Sequence, residues 1–518
     1  MKDDFTPRTY QRTLMKEVRD RSSLLVLPTG LGKTIIAAML IDEVVEKDQT
    51  VLFVAPTKPL LEQHVDTIRD FIPRLENVTR VSGSVSPEHR ITRYQDNNVI
   101  VATPQTVRND VEERRFDPST VSLLIVDEAH RATGDYAYTA LTRAYNERRD
   151  DPQVLGLTAS PGSEKAKIRE IIENLGADYL AYRTRDDDDV KEFTHETTID
   201  FQEVELQPGP KDVRTFLKSC LEDKVDEATN LGYVKDNKSK YSRKTLLSYM
   251  QSLQKKLDND EKHPRLFQSL SLVAQALKVQ HAVTLIESQG LQPLLEYIES
   301  LEEEAESGET KAAQKLMEDG YFQAASRLAK NLVDNGFEHP KMDRLRDIVN
   351  DQVDASPDSK IIVFTQFRDS AHWITDVLND EGVPSKTFLG QASKKRSGLS
   401  QGEQSALLDE FRSEDFTCLV STSVGEEGLD IPDVDLVVFY EPVASAIRSV
   451  QRRGRTGRHS EGEVITLITK DTRDEGIRWA AHHREKSMRQ ALKDIQAELL
   501  GEDAHDVEPS PQKNLGEF

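Results

Sequence analysis

Cysteine is almost absent. Cys220 and Cys418 are the only two in 518 residues, which excludes a disulfide framework, an all-cysteine zinc site and a four-cysteine iron–sulfur cluster. Aromatics are also sparse, at 6%. A basic excess is lacking: 68 Lys plus Arg against 91 Asp plus Glu leave a formal charge of −23. That balance excludes a chain that coats nucleic acid through bulk positive charge, so any anionic ligand must meet a local cationic patch. No apolar run approaches the roughly 20 residues of a membrane helix, and the opening MKDDFTPRTYQ carries no apolar signal core. These absences are those of a soluble, cytoplasmic protein. At roughly 150 residues per domain the length predicts three or four units, each with enough apolar surface for its own core.

What is present is ordered along the chain. Ser23–Leu27, Thr50–Ala55, Asn98–Ala102, Ser122–Val126 and Val154–Thr158 are rich in Val, Ile and Leu without strict alternation, and polar helical stretches separate them. Buried parallel strands in an α/β layer have this signature. The pattern stops near Arg185, where Asp186–Asp189 form an acidic run. From about Phe201 to Glu338 no matching strand runs occur, and Leu291, Leu294, Leu295 and Ile298 make a helical stripe. The α/β texture returns at Lys360–Thr365, Thr417–Ser421, Leu436–Tyr440 and Glu463–Ile468. After about Lys486 one more helical stretch leads into a polar tail of disordered composition. The expected fold class is α/β: a parallel-sheet unit over 1–185, an all-helical insertion over 186–338, a second parallel-sheet unit over 339–485, and a helix with a tail over 486–518.

The segment Pro28-Thr29-Gly30-Leu31-Gly32-Lys33-Thr34 follows the first strand run and precedes an apolar helix. Glycines there let backbone N–H groups approach phosphate oxygens, and the helix N-terminus adds its dipole. Lys33 can reach β- and γ-phosphates, and the Thr34 hydroxyl can ligate Mg²⁺. Leu27 stands where the strict pattern wants a small residue. Asp127-Glu128-Ala129-His130 closes the run Ser122–Val126. A carboxylate at the C-terminal end of a parallel strand points into the ligand crevice. Asp127 would hold Mg²⁺ and Glu128 would orient and deprotonate the attacking water. Two adjacent acids by themselves are commonly a solvated face; behind a phosphate loop they read as catalytic. Gln451-Arg452-Arg453-Gly454-Arg455-Thr456-Gly457-Arg458 lies in the second α/β block. Such a run can be a solvated or nucleic-acid-binding face. Arg455 and Arg458, three apart among glycines, also suit a fork aimed at a γ-phosphate, which implies a site completed when two units close.

Taken together these residues resemble superfamily 2 helicases of the DEAH-signature type, with two RecA-like lobes. The resemblance implies that Arg8, Tyr10 and Gln11 read adenine, and that Thr57 and Lys58 in Ala55–Leu60, Gly83 in Ser82-Gly83 and Thr103 in Ala102–Pro104 contact a nucleic-acid strand. Thr158-Ala159-Ser160 would couple nucleotide state to lobe movement. In the second lobe it implies strand contacts at Thr365 and Thr422, and nucleotide contacts at Gly428 and Asp430 beside the catalytic Gln451, Arg455 and Arg458. Within the superfamily the chain is most similar to the archaeal Hef and Fanconi-anaemia M-type family, on PTKPL at Pro56–Leu60, ESQG at Glu287–Gly290, HPKMDRL at His339–Leu345 and QRRGRTGR at Gln451–Arg458. That family carries a fork-engaging domain where the helical insertion sits, and often continues into an XPF-type nuclease. Here the chain ends at Phe518, so no nuclease is expected.

The resemblance implies ATP and Mg²⁺ as cofactors, and forked or branched DNA as the partner of a monomer or transient oligomer without membrane attachment. Dicer-type and RIG-I-type proteins share the same parts and act on double-stranded RNA, so that alternative stays open, as does an ATP-gated binding scaffold. Between Tyr233 and Lys256, Lys235, Lys238, Lys240, Arg243, Lys244, Lys255 and Lys256 face only Asp236, a local +6 in a chain of −23. This patch, with Tyr233, Tyr241 and Tyr249 interleaved, is read either as a solvated helix face or as an electrostatic rail for DNA. Gln512, Leu515 and Phe518 in the last seven residues match a short sliding-clamp-binding peptide without its second aromatic. Of the twelve histidines, only His130 is given a role, linking the nucleotide site to the second lobe.

Overall fold

The computed structural model describes residues 5–193, 199–235, 241–258, 263–389, 399–413, 415–422, 434–442 and 463–501. Continuous runs of Val, Ile and Leu make strands that are buried on both faces, and such strands assemble into parallel sheets covered by helices. Seven of them form a first sheet in the order β3-β4-β2-β5-β6-β1-β7, every neighbouring pair parallel. They are β1 Ser23–Val26, β2 Thr50–Val54, β3 Val78–Val81, β4 Val99–Ala102, β5 Val121–Val126, β6 Val154–Thr158 and β7 Tyr179–Tyr182. Helices α1 Thr9–Val18, α2 Lys33–Glu46, α3 Lys58–Phe71, α4 Pro87–Asp96, α5 Pro104–Glu112, α6 Ala137–Arg148 and α7 Lys165–Leu175 cover it, one core on each face.

The second sheet is also wholly parallel, in the order β10-β11-β9-β12-β13-β8. Its strands are β8 Ile199–Val204, β9 Ile361–Thr365, β10 Ser385–Phe388, β11 Cys418–Thr422, β12 Leu436–Phe439 and β13 Glu463–Thr469. Strand β8 precedes the helical insertion yet pairs with β13 from Ile199↔Val464 to Val204↔Thr469. The segment expected to be helical from residue 186 onward therefore donates an edge strand to the second sheet. The insertion proper is a bundle of α8 Pro208–Asn230, α9 Arg243–Asp258, α10 Pro264–Ser288, α11 Leu291–Glu306, α12 Lys311–Met317 and α13 Gly320–Asp334, around two joined cores. The acidic run also belongs elsewhere than expected. Val190 is buried in the first core, Phe193 packs there on Tyr10, and Asp189 and Asp186 pair with Arg183 and Arg489.

After α14 Pro340–Ala355, α15 Arg368–Asp380 and α16 Gln401–Arg412, the last helix among the described residues is α17, Arg473–Leu500. No proline interrupts those 28 residues, so the helix does not break at residue 485 as the expected boundary required. It leaves β13 and ends on the first unit, where Ala491, Leu492 and Ile495 complete a core and Gln496 Nε2 donates to Leu180 O at 2.9 Å. Lys165–Asp494 (2.5 Å) and Arg169–Glu498 (2.9 Å) flank that contact.

The insertion joins the second unit through a buried polar junction. Lys341 Nζ lies 2.6 Å from Asp474 Oδ2, and Asp474 Oδ1 accepts from the Ser288 hydroxyl at 2.9 Å. Gly290 must be glycine here: its φ is 115° and a Cβ would sit 2.8 Å from that of His339. Burial holds the His339 ring down at about 3, with the Lys341 ammonium adding to the effect. Among the described residues no helix is long and apolar enough to cross a membrane.

Candidate active site

Parallel pairing brings the C-terminal ends of β1, β6 and β5 to one edge of the first sheet, and the residues that follow each strand meet there. Leu27 explains the departure from the strict loop pattern. Its N–H donates to Thr158 O at 3.1 Å, one rung beyond the strand, and its side chain is fully buried. The loop then turns at Gly30 and Gly32, both at positive φ (85° and 82°), and Gly32 caps α2. A Cβ on Gly32 would lie 2.5 Å from Gln11 Nε2. Lys33 Nζ reaches back across the loop to Leu27 O at 3.1 Å, as an ammonium holding an anion-sized turn closed would do. Thr29 and Thr34 are half-buried on either side of it.

The N-terminal segment is stitched to this loop. Tyr10 Oη and Gln11 Nε2 both donate to Leu31 O, at 2.8 and 3.1 Å, and the Arg8 N–H donates to Gln11 Oε1 at 2.9 Å. The Arg8 guanidinium lies over the Phe193 ring, 4.7 Å from its centroid. Arg8 and Gln11 thus stand beside the loop, as nucleotide-base contacts must.

Asp127 and Glu128 follow β5. Burial opposes the charge on Asp127, yet a hydrogen bond from His64 and the nearby Lys33 ammonium hold its carboxyl below the usual carboxylate range. His64 Nε2 is 2.8 Å from Asp127 Oδ2. Glu128 adopts a left-handed backbone (φ 49°), unusual for a residue with a side chain and a local strain of the kind found at functional sites. Its Oε2 is 3.1 Å from His130 Nδ1, which is also 3.2 Å from Thr158 Oγ1. Ser160, two residues on, donates to Met488 Sδ on α17 at 3.2 Å. A hydroxyl and one carboxylate, Thr34 and Asp127, are the sparse oxygen set that Mg²⁺ takes when phosphates and waters complete its shell; the donors fit the ion.

The first-lobe residues expected to contact a strand stand on the same edge. Thr57 caps α3 after β2, Ser82-Gly83 follows β3, and Thr103 caps α5 after β4. Those three strands are neighbours, so helix N-termini line up as a row of N–H donors suited to phosphates. Lys58 and Gly83 are exposed, while the Thr57 hydroxyl is buried without a partner and that of Thr103 pairs with Thr106 at 2.8 Å. The second lobe differs from expectation. Thr365 is fully buried and its hydroxyl lies 3.2 Å from Glu441 Oε1 and 3.3 Å from Gln289 Oε1, because it ends β9 against the insertion. Its side chain serves the junction rather than a strand. Thr422 ends β11, 2% exposed, with its hydroxyl unpartnered.

On α9, Arg243 and Lys244 are exposed, as are Lys235 and Lys255 nearby. Two of the interleaved tyrosines serve packing: Tyr249 Oη donates to Lys235 O at 2.8 Å and Tyr241 packs on the bundle core. Lys238, Lys240, Gly428, Asp430, Gln451, Arg455, Arg458, Gln512, Leu515 and Phe518 lie outside the described residues. Sequence reasoning missed His64, Glu441 and the Lys341–Asp474 pair.

A phosphate loop and an acidic pair, Asp127 buried and Glu128 half-buried, follow the strands flanking β6, and with a second parallel sheet beyond a helical insertion they define a two-lobed fold of the nucleotide-binding type. Residues 4–163 match the family described as "Type III restriction enzyme, res subunit", residues 340–460 "Helicase conserved C-terminal domain", and residues 210–334 "Putative ATP-dependent RNA helicase, helical bundle". The crystal structure of the Pyrococcus furiosus Hef helicase domain matches with a TM-score of 0.71 at 42% identity, covering 92% of this chain and 98% of that one. A "Putative ATP-dependent RNA helicase" of Methanocaldococcus jannaschii is 35% identical over 490 residues, 94% of this chain and 61% of its own length. The ATP-dependent DNA helicase mph1 of Neurospora crassa is 33% identical over 482 residues, 89% of this chain and 41% of its own length. The chain belongs to the Hef-like superfamily 2 helicases, with two RecA-like lobes. It spans 41% to 61% of the length of these two curated relatives.

Proposed function

We propose that this protein is an ATP-dependent DNA helicase or translocase acting on forked or branched DNA. The observation that carries the reading is the shared edge: phosphate loop, acidic pair and the row of helix N-termini all stand at the C-terminal ends of one sheet. Strand binding and nucleotide turnover are then properties of one rigid surface. The loop N–H groups and Lys33 hold the β- and γ-phosphates, and Arg8 and Gln11 hold the base. Thr34 and Asp127 hold Mg²⁺, which neutralises phosphate charge when bound. Glu128, kept outward by its left-handed backbone, takes the proton of the attacking water. Gln451, Arg455, Arg458, Gly428 and Asp430 complete the site from the second lobe when the cleft closes. Thr57, Lys58, Gly83, Thr103 and Thr422 grip the strand backbone without reading bases.

The exposed cations of α9 offer a duplex arm of a fork a second, cationic surface on the insertion. A clamp contact through Gln512, Leu515 and Phe518 and a soluble, cytoplasmic setting complete the proposal, with the chain working as a monomer or transient oligomer. DNA is favoured because several relatives, the Neurospora crassa mph1 protein among them, are named ATP-dependent DNA helicases. The test is ATP turnover with forked DNA, single-stranded DNA and duplex RNA in parallel. Strongest stimulation by the fork is expected; stimulation by duplex RNA alone would reassign the substrate, and turnover indifferent to all three would end the motor reading.

A further inference from the structure

Helix α3 begins at Lys58, on the edge assigned above to the strand, and its buried stripe is Leu61, His64, Val65 and Ile68. Three of these are aliphatic and pack the core. His64 is equally buried, 5% exposed, but it is polar, and a polar side chain on a core stripe must be satisfied. Its ring lies on Phe53 of β2, 4.5 Å between centroids, and its Nε2 is 2.8 Å from Asp127 Oδ2. The other nitrogen, Nδ1, is buried with no hydrogen-bond partner. A proton there would be an orphaned donor, so the tautomer that fits carries its proton on Nε2 and donates it to Asp127. With the Glu128 N–H as the other donor, the His64 hydrogen bond on Oδ2 fixes the plane of the buried carboxylate.

We propose that His64 is a positioning residue for Asp127 and that, through it, α3 links strand binding to nucleotide turnover. The six residues from Lys58 to His64 span about 9 Å of helix axis. A tilt of α3 as its N-terminus meets a phosphate is therefore delivered, within two turns, to the carboxylate assigned to Mg²⁺. The link rests on the function proposed above; the positioning of Asp127 does not. A leucine at His64 would keep the apolar stripe and an apolar contact with Phe53, while leaving Asp127 buried without this donor.

The experiment uses the full chain with His64→Leu, His64→Gln and His64→Asn, each checked for parental far-UV circular dichroism. Affinity for fluorescent ADP is measured with Mg²⁺ and with EDTA, and kcat and KM for ATP with and without single-stranded DNA. Orienting partners of metal ligands are typically worth about 10–100-fold. His64→Leu should therefore lose about that factor of the Mg²⁺-dependent gain in ADP affinity and keep the EDTA value. His64→Gln, whose amide reaches as far as Nε2, should recover most of it, and the shorter His64→Asn should not. Stimulation of kcat by DNA should fall toward onefold in His64→Leu at unchanged DNA affinity. Parental Mg²⁺ dependence in His64→Leu, or identical behaviour of the Gln and Asn variants, overturns the positioning role. A parental stimulation ratio in His64→Leu overturns the link. The ADP measurements contain no DNA, so a parent chain that DNA fails to stimulate would sink the proposed function and the link while leaving the positioning result standing.

Discussion

Replacing Lys341 with methionine removes one half of the most deeply buried ion pair described in the chain. The two side chains are 0% and 1% exposed, with Nζ 2.6 Å from Asp474 Oδ2. Lys341 also donates to Ser288 O at 3.3 Å, and Asp474 accepts from the Ser288 hydroxyl at 2.9 Å and from the Thr469 N–H at 3.2 Å. In Lys341→Met the carboxylate stays buried with two neutral donors in place of an ammonium. Breaking a buried pair from one side costs about 3–5 kcal/mol. At roughly 2–4 °C per kcal/mol for units of this size, the unfolding midpoint should fall by about 6–20 °C. Asp474→Leu should lose a similar amount, since it strands the ammonium. The double variant Lys341→Met/Asp474→Leu leaves no uncompensated charge, so it should be less destabilised than the two losses added, with a coupling of about 1–3 kcal/mol. Thermal and urea unfolding followed by far-UV circular dichroism measure all three. Additivity within about 0.5 kcal/mol would refute the claim that the two charges act as one unit.

Gly32→Ala places a Cβ 2.5 Å from Gln11 Nε2 at a φ of 82°, so fluorescent-ADP affinity should drop at least about tenfold while DNA affinity holds. Glu128→Gln should bind ATP and DNA as the parent does and turn over at least about a hundredfold more slowly, read by steady-state phosphate release. Glu441, 1% exposed, has its carboxyl pushed up to about 7 by burial, against the opposing pull of the Lys341 ammonium and the Gln366 N–H. The folded state therefore keeps a proton that the unfolded chain gives up in the ordinary glutamate range. Stability present below that range is lost as pH rises to about 7 and is level above it, a total of roughly 3 kcal/mol. Glu441→Gln should flatten that slope in midpoints measured from pH 5 to pH 8. Arg243→Glu/Lys244→Glu should weaken fork binding and reduce the slope of log affinity against log salt by about 0.9 per lost phosphate contact; an unchanged slope would make the α9 cations a solvated face.

The strands that were legible in the sequence are those buried on both sides, where Val, Ile and Leu run without a break. Strand β8 escaped that test because it is an edge: Asp200 and Glu203 are exposed along it, so it shows polar gaps. The phosphate loop and Asp127-Glu128 were legible because their chemistry demands those residue types at a strand end. What the loop's neighbours do was less so. Leu27 looked like a defect and is one further rung of the sheet. Thr365 looked like a strand contact and is a junction hydroxyl, a distinction set by β9 ending against a helix end 76 positions earlier in the chain, at Gln289. His64 did carry a signal, a polar residue in register with Leu61, Val65 and Ile68, but its partner lies across the sheet and no local pattern names it. The Lys341–Asp474 pair brings residues 133 positions apart into contact, which spacing cannot reveal.

Helix α17 has a consequence for how the protein is made. Its last turns supply Ala491, Leu492 and Ile495 to a core whose other members all precede residue 181. A ribosome that has released the whole first lobe has therefore not yet released the piece that closes it. Until Ala491–Ile495 have been made, that lobe must wait with an apolar seam open beside Leu180, and the sheet of the second lobe must likewise reclaim a strand synthesised before the bundle. Each lobe is thus completed by a piece of chain made far from the rest of it.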